Sequence, residues 1–243
     1  IKKGELSFAL NLSSKALAQR TQEEIIYRAV RITSFEQDGK HYAVFSTNGG
    51  FNSVLTTGVE VFEWKEDVDV LVECQKLLEV IDKSTVDIIT IEKIDDENVL
   101  IFANGENKMK YQPGTMIAEF PKYEEDKKLG SMKVKEFIKI CKSTIPFATD
   151  DVHKAPLIGL CIDNDSIYAT NELKSMVIKN IGLQLPIQLN FNPIAADMVG
   201  VFGAEETIDF YLGKMASAMD DTHLTLVISG VELHVLKYQS EYP

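Results

Sequence analysis

The stretch Leu157–Ile178 reads LIGLCIDNDSIYATNELKSMVI, and the organisation predicted for the whole chain follows from it. Apolar residues on both sides of residues 163–166, Asp-Asn-Asp-Ser, predict two short strands joined by a tight turn. Asp, Asn and Ser favour such turns because their side chains can hydrogen-bond to the nearby backbone. After residues 170–171, Thr-Asn, a short polar bridge leads to a further apolar run at 176–178.

The second half of this stretch has a counterpart nearer the amino terminus. Residues 45–48 (FSTN) precede Val54 and Leu55, as residues 168–171 (YATN) precede Val177 and Ile178, each matched pair 123 positions apart. A repeat of such long period predicts a duplicated domain. The length of 243 residues allows one large domain or two ordinary ones. We predict domains at 1–123 and 124–243, with a linker at about 119–130, where charged residues and a proline cluster.

The remaining patterns predict the same order of elements in each half, which is a strand, a helix and three strands, written twice. In the first half we predict a strand at 5–12, a helix capped by Ser13 or Ser14 that runs to about Gln22, strands at 25–35, 42–46, 54–64 and 68–72, a helix at 74–81, and strands at 86–94 and 99–103. In the second half we predict a strand at 132–134, a helix at 135–145, the paired strands described above, a strand at 185–191, a helix from Pro193, and strands at 207–212, 223–228 and 231–238.

Composition and charge narrow the function classes. The formal net charge of −12 argues against tight binding of nucleic acid, unless the basic residues gather on one surface. No apolar run approaches the length that spans a bilayer and no leader is evident, so we expect a cytoplasmic protein. Cys74, Cys141 and Cys161 lie among apolar neighbours without a C-x-x-C pair, which predicts buried reduced thiols.

Signals for catalysis are poor. The sequence contains no P-loop, G-x-S-x-G or H-E-x-x-H motif. Its four histidines are scattered singly, and the Asp163-x-Asp165 pattern lacks the glycine and glutamate of a calcium loop. We therefore predict no catalytic residue, no cofactor and no metal site. An enzyme whose site the sequence does not reveal remains the minor alternative.

The order of these elements resembles a known family. An Ala-Thr-Asn step at 169–171 stands where that family commonly has Ala-Thr-Asp, and Phe120-Pro121 and Tyr242-Pro243 close the two halves. Over essentially the whole chain the sequence resembles the bacterial-type sliding clamp, the β subunit of DNA polymerase III. The resemblance implies an α+β fold of two tandem DNA-clamp domains, each made of two strand-helix-three-strand units, with helices on one face of antiparallel sheets.

The resemblance also implies a function and partners. A sliding clamp encircles duplex DNA without reading its sequence, tethers the replicative polymerase, and binds polymerase and clamp loader through short peptide motifs. Bacterial members carry three domains and close as dimers, so two domains imply a homo-oligomeric ring that is a trimer if the chain is complete, or a dimer if a third domain follows Pro243. A clamp-fold protein-interaction scaffold that does not encircle DNA is the alternative.

Basic side chains on helix faces are the candidate DNA contacts. Lys135, Lys139 and Lys142 are spaced by four and three, which places them on one side of the predicted helix at 135–145. Spacing alone favours a solvated helix face, whereas the resemblance favours DNA contact for these three. Weaker candidates are Lys15, Arg20, Lys76 and Lys83. The helix from Pro193 carries Asp197 and no Lys or Arg.

A pocket for partner peptides is implied by the resemblance alone. Leu157, Thr170 and Pro243 fall on positions that line this pocket in the family. Ser175 falls where the family has a larger apolar residue, so either the adjacent Met176 takes that role or the pocket is altered. Without the resemblance, Leu157 is interpreted as a core residue.

Overall fold

Antiparallel strands and α-helices alternate along the part of the chain that the computed structural model describes, which is residues 1–17, 27–48, 53–94, 99–102, 107–113, 123–149, 151, 154, 157–215 and 222–236. The chain folds into two compact units, unit 1 (Ile1–Gly50 and Val54–Phe120) and unit 2 (Phe51–Ser53 and Pro121–Pro243). The mixture of antiparallel sheets and helices confirms the predicted α+β class. The domain limits 1–123 and 124–243 stay a prediction.

Unit 1 contains two helices and eight strands within its described residues. These are α1 (Lys3–Ala16), β1 (Ala29–Gln37), β2 (Lys40–Asn48), β3 (Ser53–Val61), β4 (Asp69–Glu73), α2 (Cys74–Lys83), β5 (Ile91–Ile94), β6 (Val99–Phe102), β7 (Asn107–Lys110) and β8 (Gln112–Pro113). Strands β8, β4, β1, β2 and β3 are neighbours in that order, and β5, β6 and β7 form a separate sheet. Helix α1 contacts α2 and β2, and the core between them includes Leu6, Phe45 and Leu77.

The prediction of a strand at residues 5–12 is wrong, because these residues belong to α1. Leu6, Ala9, Leu10 and Ser13 are buried at helical spacing, so the loose apolar alternation concealed a period of 3.6 residues. Ser13 lies buried inside the helix and caps nothing, and α1 ends at Ala16. The predicted helix end near residue 22 lies outside the described residues.

Unit 2 repeats the strand-helix-three-strand order twice. Its elements are β9 (Tyr123–Lys133), α3 (Val134–Thr144), β10 (Leu160–Asn164), β11 (Ser166–Thr170), β12 (Ser175–Lys179), β13 (Leu185–Phe191), α4 (Ile194–Val199), β14 (Thr207–Met215), β15 (Thr222–Ile228) and β16 (Val231–Leu236). Strand β9 pairs with β14, and β13 pairs with β10. The opening strand of each repeat therefore pairs with the first strand after the helix of the other repeat, as β4 does with β1 in unit 1.

The echoed residues occupy equivalent elements. Phe45 lies on β2 and Tyr168 on β11, and each of these strands is the second one after the first helix of its unit. Asp163 pairs with Ser166 across the turn between β10 and β11, which confirms the predicted strand pair. Asn164 adopts a φ of 52°, a left-handed conformation that asparagine tolerates better than most residues.

Strand β9 occupies most of the stretch predicted as a linker. The chain pairs with β14 over Tyr123–Lys133, so the prediction of a linker at about 119–130 is wrong for residues 123–130. Residues 119–122 lie outside the described part of the chain. Strand β9 lies at the end of its sheet, and charged side chains are common on edge strands because they discourage unwanted pairing.

All three cysteines are buried and free, as predicted from their apolar neighbours. Burial raises the pKa of the Cys74 thiol to about 12, and it raises the pKa of the Cys141 thiol to about 12 as well. Thiols held in this way stay protonated at neutral pH and are poor nucleophiles.

Two histidines lie buried side by side on β15 and β16. The rings of His223 and His234 meet edge to face, with centroids 5.3 Å apart. His234 places Nδ1 2.9 Å from the Thr225 hydroxyl and Nε2 3.4 Å from the Glu232 carboxylate. Burial, reinforced by the charge of His234, lowers the pKa of His223 to about 3. His223 is therefore neutral in the folded protein at physiological pH.

This burial predicts that the protein loses stability in mild acid. An unfolded histidine has a pKa of about 6.5, so between pH 6.5 and 3 the unfolded chain binds a proton that folded His223 does not. Stability should be fully present above pH 6.5 and fall by about 2 kcal/mol between pH 6.5 and 5. Urea unfolding at pH 7 and pH 5 measures this loss, which should shrink in His223→Leu and persist in the control His41→Gln. An equal loss in His223→Leu and the wild type would contradict the prediction.

Candidate nucleic-acid interface

Helix α3 positions the main candidate site, and its sequence explains where it starts and which side it buries. The backbone N–H of Lys133 donates to Glu136 Oε2 over 3.4 Å, and the Glu136 carboxylate lies in the first turn, where the helix dipole favours negative charge. Phe137 and Cys141 are buried on one side of the helix. The Phe137 ring contacts Phe210 of β14, with centroids 5.6 Å apart, which fixes the helix on its sheet.

The opposite side of α3 carries the three lysines predicted to contact DNA. Lys135, Lys139 and Lys142 are all exposed on it. Lys135 is engaged, since its Nζ lies 2.7 Å from Glu205 Oε1, and this hydrogen bond together with the charge of Glu205 raises the pKa of Lys135. Within the described residues, the ammonium groups of Lys139 and Lys142 form no hydrogen bond or ion pair. Two ammonium groups on one face are therefore available to an external anion.

The weaker candidates divide in the same way. Lys76 of α2 lies 2.6 Å from the Glu73 carboxylate, so a neighbouring acid already holds it. Lys15 at the end of α1 and Lys83 at the end of α2 are exposed and make no ion pair among the described residues. Arg20 lies outside the described part of the chain.

Helix α4 differs from α3. It spans Ile194–Val199, exposes Asp197 and carries no basic residue, as the sequence indicated. The loop after it brings Glu205 against the start of α3, a contact that sequence reasoning missed. Glu205 and Lys135 are 70 positions apart, and no local pattern links them.

The structure brings together three of the residues predicted for a peptide pocket. Thr170 is the register partner of Ser175 across β11 and β12, and Met176 pairs with the preceding Ala169. The Thr170 hydroxyl donates to the Lys174 carbonyl over 3.0 Å, which holds the end of this hairpin. Leu157 is buried in unit 2, only 5% exposed, and Pro243 lies outside the described residues. The pocket as a whole stays a prediction.

A groove of about 430 Å³ lies between α3 and the end of β12. Apolar side chains and polar ones both line it, and Lys139 is among the polar ones. Its lining residues are Met132, Glu136, Lys139, Ile140, Ser143, Ile178, Asn180 and Ile181. Leu157, Thr170, Ser175 and Met176 are not among them, so this groove is distinct from the predicted peptide pocket.

Two classes of site are not found in the described ranges. Across these ranges, no group of three or more His, Cys, Asp or Glu side chains is placed to hold a metal ion. No helix in the same part of the chain is long and apolar enough to cross a membrane.

Solved structures match this fold along the entire chain. The β subunit from DNA polymerase of Streptococcus pyogenes matches with a TM-score of 0.80 at 12% identity, over 100% of this chain and 65% of that one. DNA polymerase III subunit beta from Borrelia burgdorferi matches with a TM-score of 0.81 at 13% identity, over 100% of this chain and 65% of that one. The chain has the fold of a bacterial-type DNA sliding clamp.

The likeness to sliding clamps lies in the three-dimensional fold and not in the sequence. No family model matches the sequence, and no curated protein matches it. The Helicobacter pylori beta clamp bound to a DNA ligase peptide also matches, with a TM-score of 0.74 at 14% identity, over 100% of this chain and 67% of that one. The chain spans about 65% of the length of the first clamp structures it matches.

Proposed function

We propose that this protein is a DNA sliding clamp, a processivity factor that encircles duplex DNA and tethers the replicative polymerase in the cytoplasm. The observation that carries the proposal is the exposed face of α3, where Lys139 and Lys142 have no counter-ion among the described residues of a clamp fold. Such side chains suit sequence-blind contact with phosphates. The clamp does no chemistry of its own, and tethering raises the effective concentration of the polymerase at the primer end.

Lys139 and Lys142 are the proposed principal contacts, with Lys135 beside them. Lys15 and Lys83 add exposed charge from the helices of unit 1. Lys76 and Arg20 complete the proposed set. Weak contacts from several helices let a ring hold DNA and still slide, because none of them reads a base.

Partner peptides are proposed to dock in unit 2. A related fold, the Helicobacter pylori beta clamp, has been solved with a DNA ligase peptide bound. In this chain the hairpin end at Thr170, Ser175 and Met176, together with Leu157 and Pro243, is the proposed site for short motifs of the polymerase and the clamp loader.

Ring closure is proposed to join copies of the chain. Strand β12 lies at the end of its sheet and pairs only with β11 among the described strands, so its outer edge can accept a strand from another chain. Two clamp domains per chain would form a ring of three copies, and a third domain after Pro243 would make it two. A solution mass measurement of the purified protein distinguishes these assemblies.

Encirclement predicts that retention depends on the topology of the DNA. Once loaded on nicked circular DNA, the protein should stay bound through gel filtration, and it should be lost when a restriction enzyme linearises the circle. A ring slides off free DNA ends, whereas a protein that only contacts the outside of the duplex is retained whether or not free ends are present. The same plasmid supplies the matched control, because cutting changes neither its length nor its sequence. Equal retention on both forms would exclude encirclement.

A clamp-fold scaffold that binds proteins without enclosing DNA is the second candidate. Three observations favour this candidate. The net charge is −12, α4 carries no basic residue, and acidic side chains pair with Lys76 and Lys135. In that case the chain would bind peptide motifs and show no retention on circular DNA.

A further inference from the structure

The loop between α4 and β14 lies against the first turn of α3 and fixes the position of Glu205. The backbone N–H of Val134 donates to the Glu206 carbonyl over 3.0 Å, and that of Lys135 donates to the Ala204 carbonyl over 3.1 Å. Lys133 Nζ donates to the Glu205 carbonyl over 2.7 Å. These bonds involve backbone atoms of the loop, so the position of Glu205 does not depend on its own carboxylate.

That carboxylate engages a cation of the proposed DNA-binding face. Glu205 Oε1 lies 2.7 Å from Lys135 Nζ, and the two side chains are 75% and 52% exposed. The hydrogen bond from Lys135 and the charges of Lys135 and Lys133 lower the pKa of Glu205, which is therefore ionised at neutral pH. An exposed pair of this kind is weak and exchanges readily with other ions.

We propose that Glu205 is an internal competitor for DNA phosphate, since its carboxylate occupies the ammonium group of Lys135 that a phosphate oxygen would otherwise bind. The proposal rests on the proposed function. A carboxylate oxygen and a phosphate oxygen make the same charge-assisted hydrogen bond to an ammonium group. DNA must therefore displace Glu205 to gain the third contact on this face, and α3 binds more weakly than three free lysines would.

The other two lysines of the face differ from Lys135 in having no acidic partner within the described ranges. Lys139 and Lys142 have no carboxylate partner among the described residues. Glu136, the acid nearest to them in sequence, accepts a hydrogen bond from the backbone of Lys133 at the helix start. Among the described residues, the first of the three cations alone is opposed by an acid from another element, so Glu205 weakens one of the three phosphate contacts that the face can make.

Replacing Glu205 by Gln tests the proposal, because glutamine keeps the shape and removes the charge. The readout is the affinity of the purified protein for a fluorescent duplex over a series of salt concentrations. Freeing Lys135 should steepen the slope of log affinity against log salt by up to about 0.9. The affinity should rise by up to roughly fivefold, because the gain cannot exceed the stability of the exposed ion pair that is removed. The melting temperature should not change, since the backbone bonds hold the loop.

Two controls distinguish competition for Lys135 from the effect of a less negative net charge. Glu60→Gln removes the same charge from another exposed pair, in which Lys40 Nζ lies 3.0 Å from Glu60 Oε1 on strands of unit 1. The gain from Glu205→Gln should exceed that of Glu60→Gln and should vanish in a Lys135→Gln background. A gain no larger than that of Glu60→Gln, or one that survives without Lys135, would overturn the proposal.

The outcome also distinguishes this proposal from the proposed function. If the wild type binds duplex DNA and reversal at Lys139 and Lys142 weakens that binding while Glu205→Gln does nothing, the clamp function stands and the competitor is excluded. If the wild type and every variant bind neither the fluorescent duplex nor nicked circular DNA, both are overturned.

Discussion

Reversing the charge of Lys139 and Lys142 together, as Lys139→Glu with Lys142→Glu, is expected to remove most of the affinity for duplex DNA. Each phosphate contact contributes about 0.9 to the salt slope, so the loss of two corresponds to roughly 60-fold at about 0.1 M salt. Repulsion between the new carboxylates and the phosphates adds to that loss. A salt titration with a fluorescent duplex measures both the affinity and the slope, which should fall by about 1.8.

The matched control reverses two lysines that lie on no helix. Lys65 lies in the loop between β3 and β4, Lys127 lies on β9, and both are exposed. Their double reversal changes the net charge equally and should leave the affinity near that of the wild type. Equal weakening by both doubles would mean that the total charge matters and the α3 face does not. Lys142 also lies in the last turn, where the helix dipole favours a cation, so thermal unfolding must show that the α3 double variant is folded.

Features that depend on neighbouring residues could be predicted from the sequence. Asp38 and Gly39 form the turn between β1 and β2 with φ values of 54° and 74°, a conformation that their residue types tolerate. Helices α2 and α3 have the predicted apolar period, and both bury that side. The information for turns and amphipathic helices lies within a few residues, which is why a single sequence was sufficient.

Features that depend on distant residues could not be predicted. The charged start of β9 has the composition of a linker, and only its pairing with β14 makes it a strand. Glu205 is remote from Lys135 along the chain, so the acid that opposes one predicted DNA contact became visible only in three dimensions.

The candidate site was therefore predicted in part. Periodicity placed Lys135, Lys139 and Lys142 on one face, and the structure shows that their availability differs. Availability depends on which carboxylates come near in space. For the same reason the net charge of −12 says little about α3, where exposed cations outnumber acids although the chain as a whole is acidic.

Truncation of Phe137 to Ala is expected to have the largest effect on stability, because this side chain holds α3 on its sheet. Phe137 is 2% exposed and its ring contacts Phe210, which is fully buried. Removing a buried phenylalanine ring typically costs about 3–5 kcal/mol, since the lost burial is accompanied by a cavity. For a unit of this size the melting temperature should fall by roughly 10–20 °C, as measured by calorimetry.

The same substitution at Phe35 is the control, because that ring is 42% exposed on β1 and its loss should cost far less. Comparison with the Lys139→Glu, Lys142→Glu double variant then distinguishes a residue that holds α3 in place from residues that bind DNA directly. Phe137→Ala should bind DNA normally at temperatures where unit 2 is folded and lose binding as it unfolds, because every lysine is still present. The double lysine reversal should bind weakly at all temperatures. If Phe137→Ala melts like the wild type, the packing of α3 on β14 is not what positions the proposed DNA-binding face.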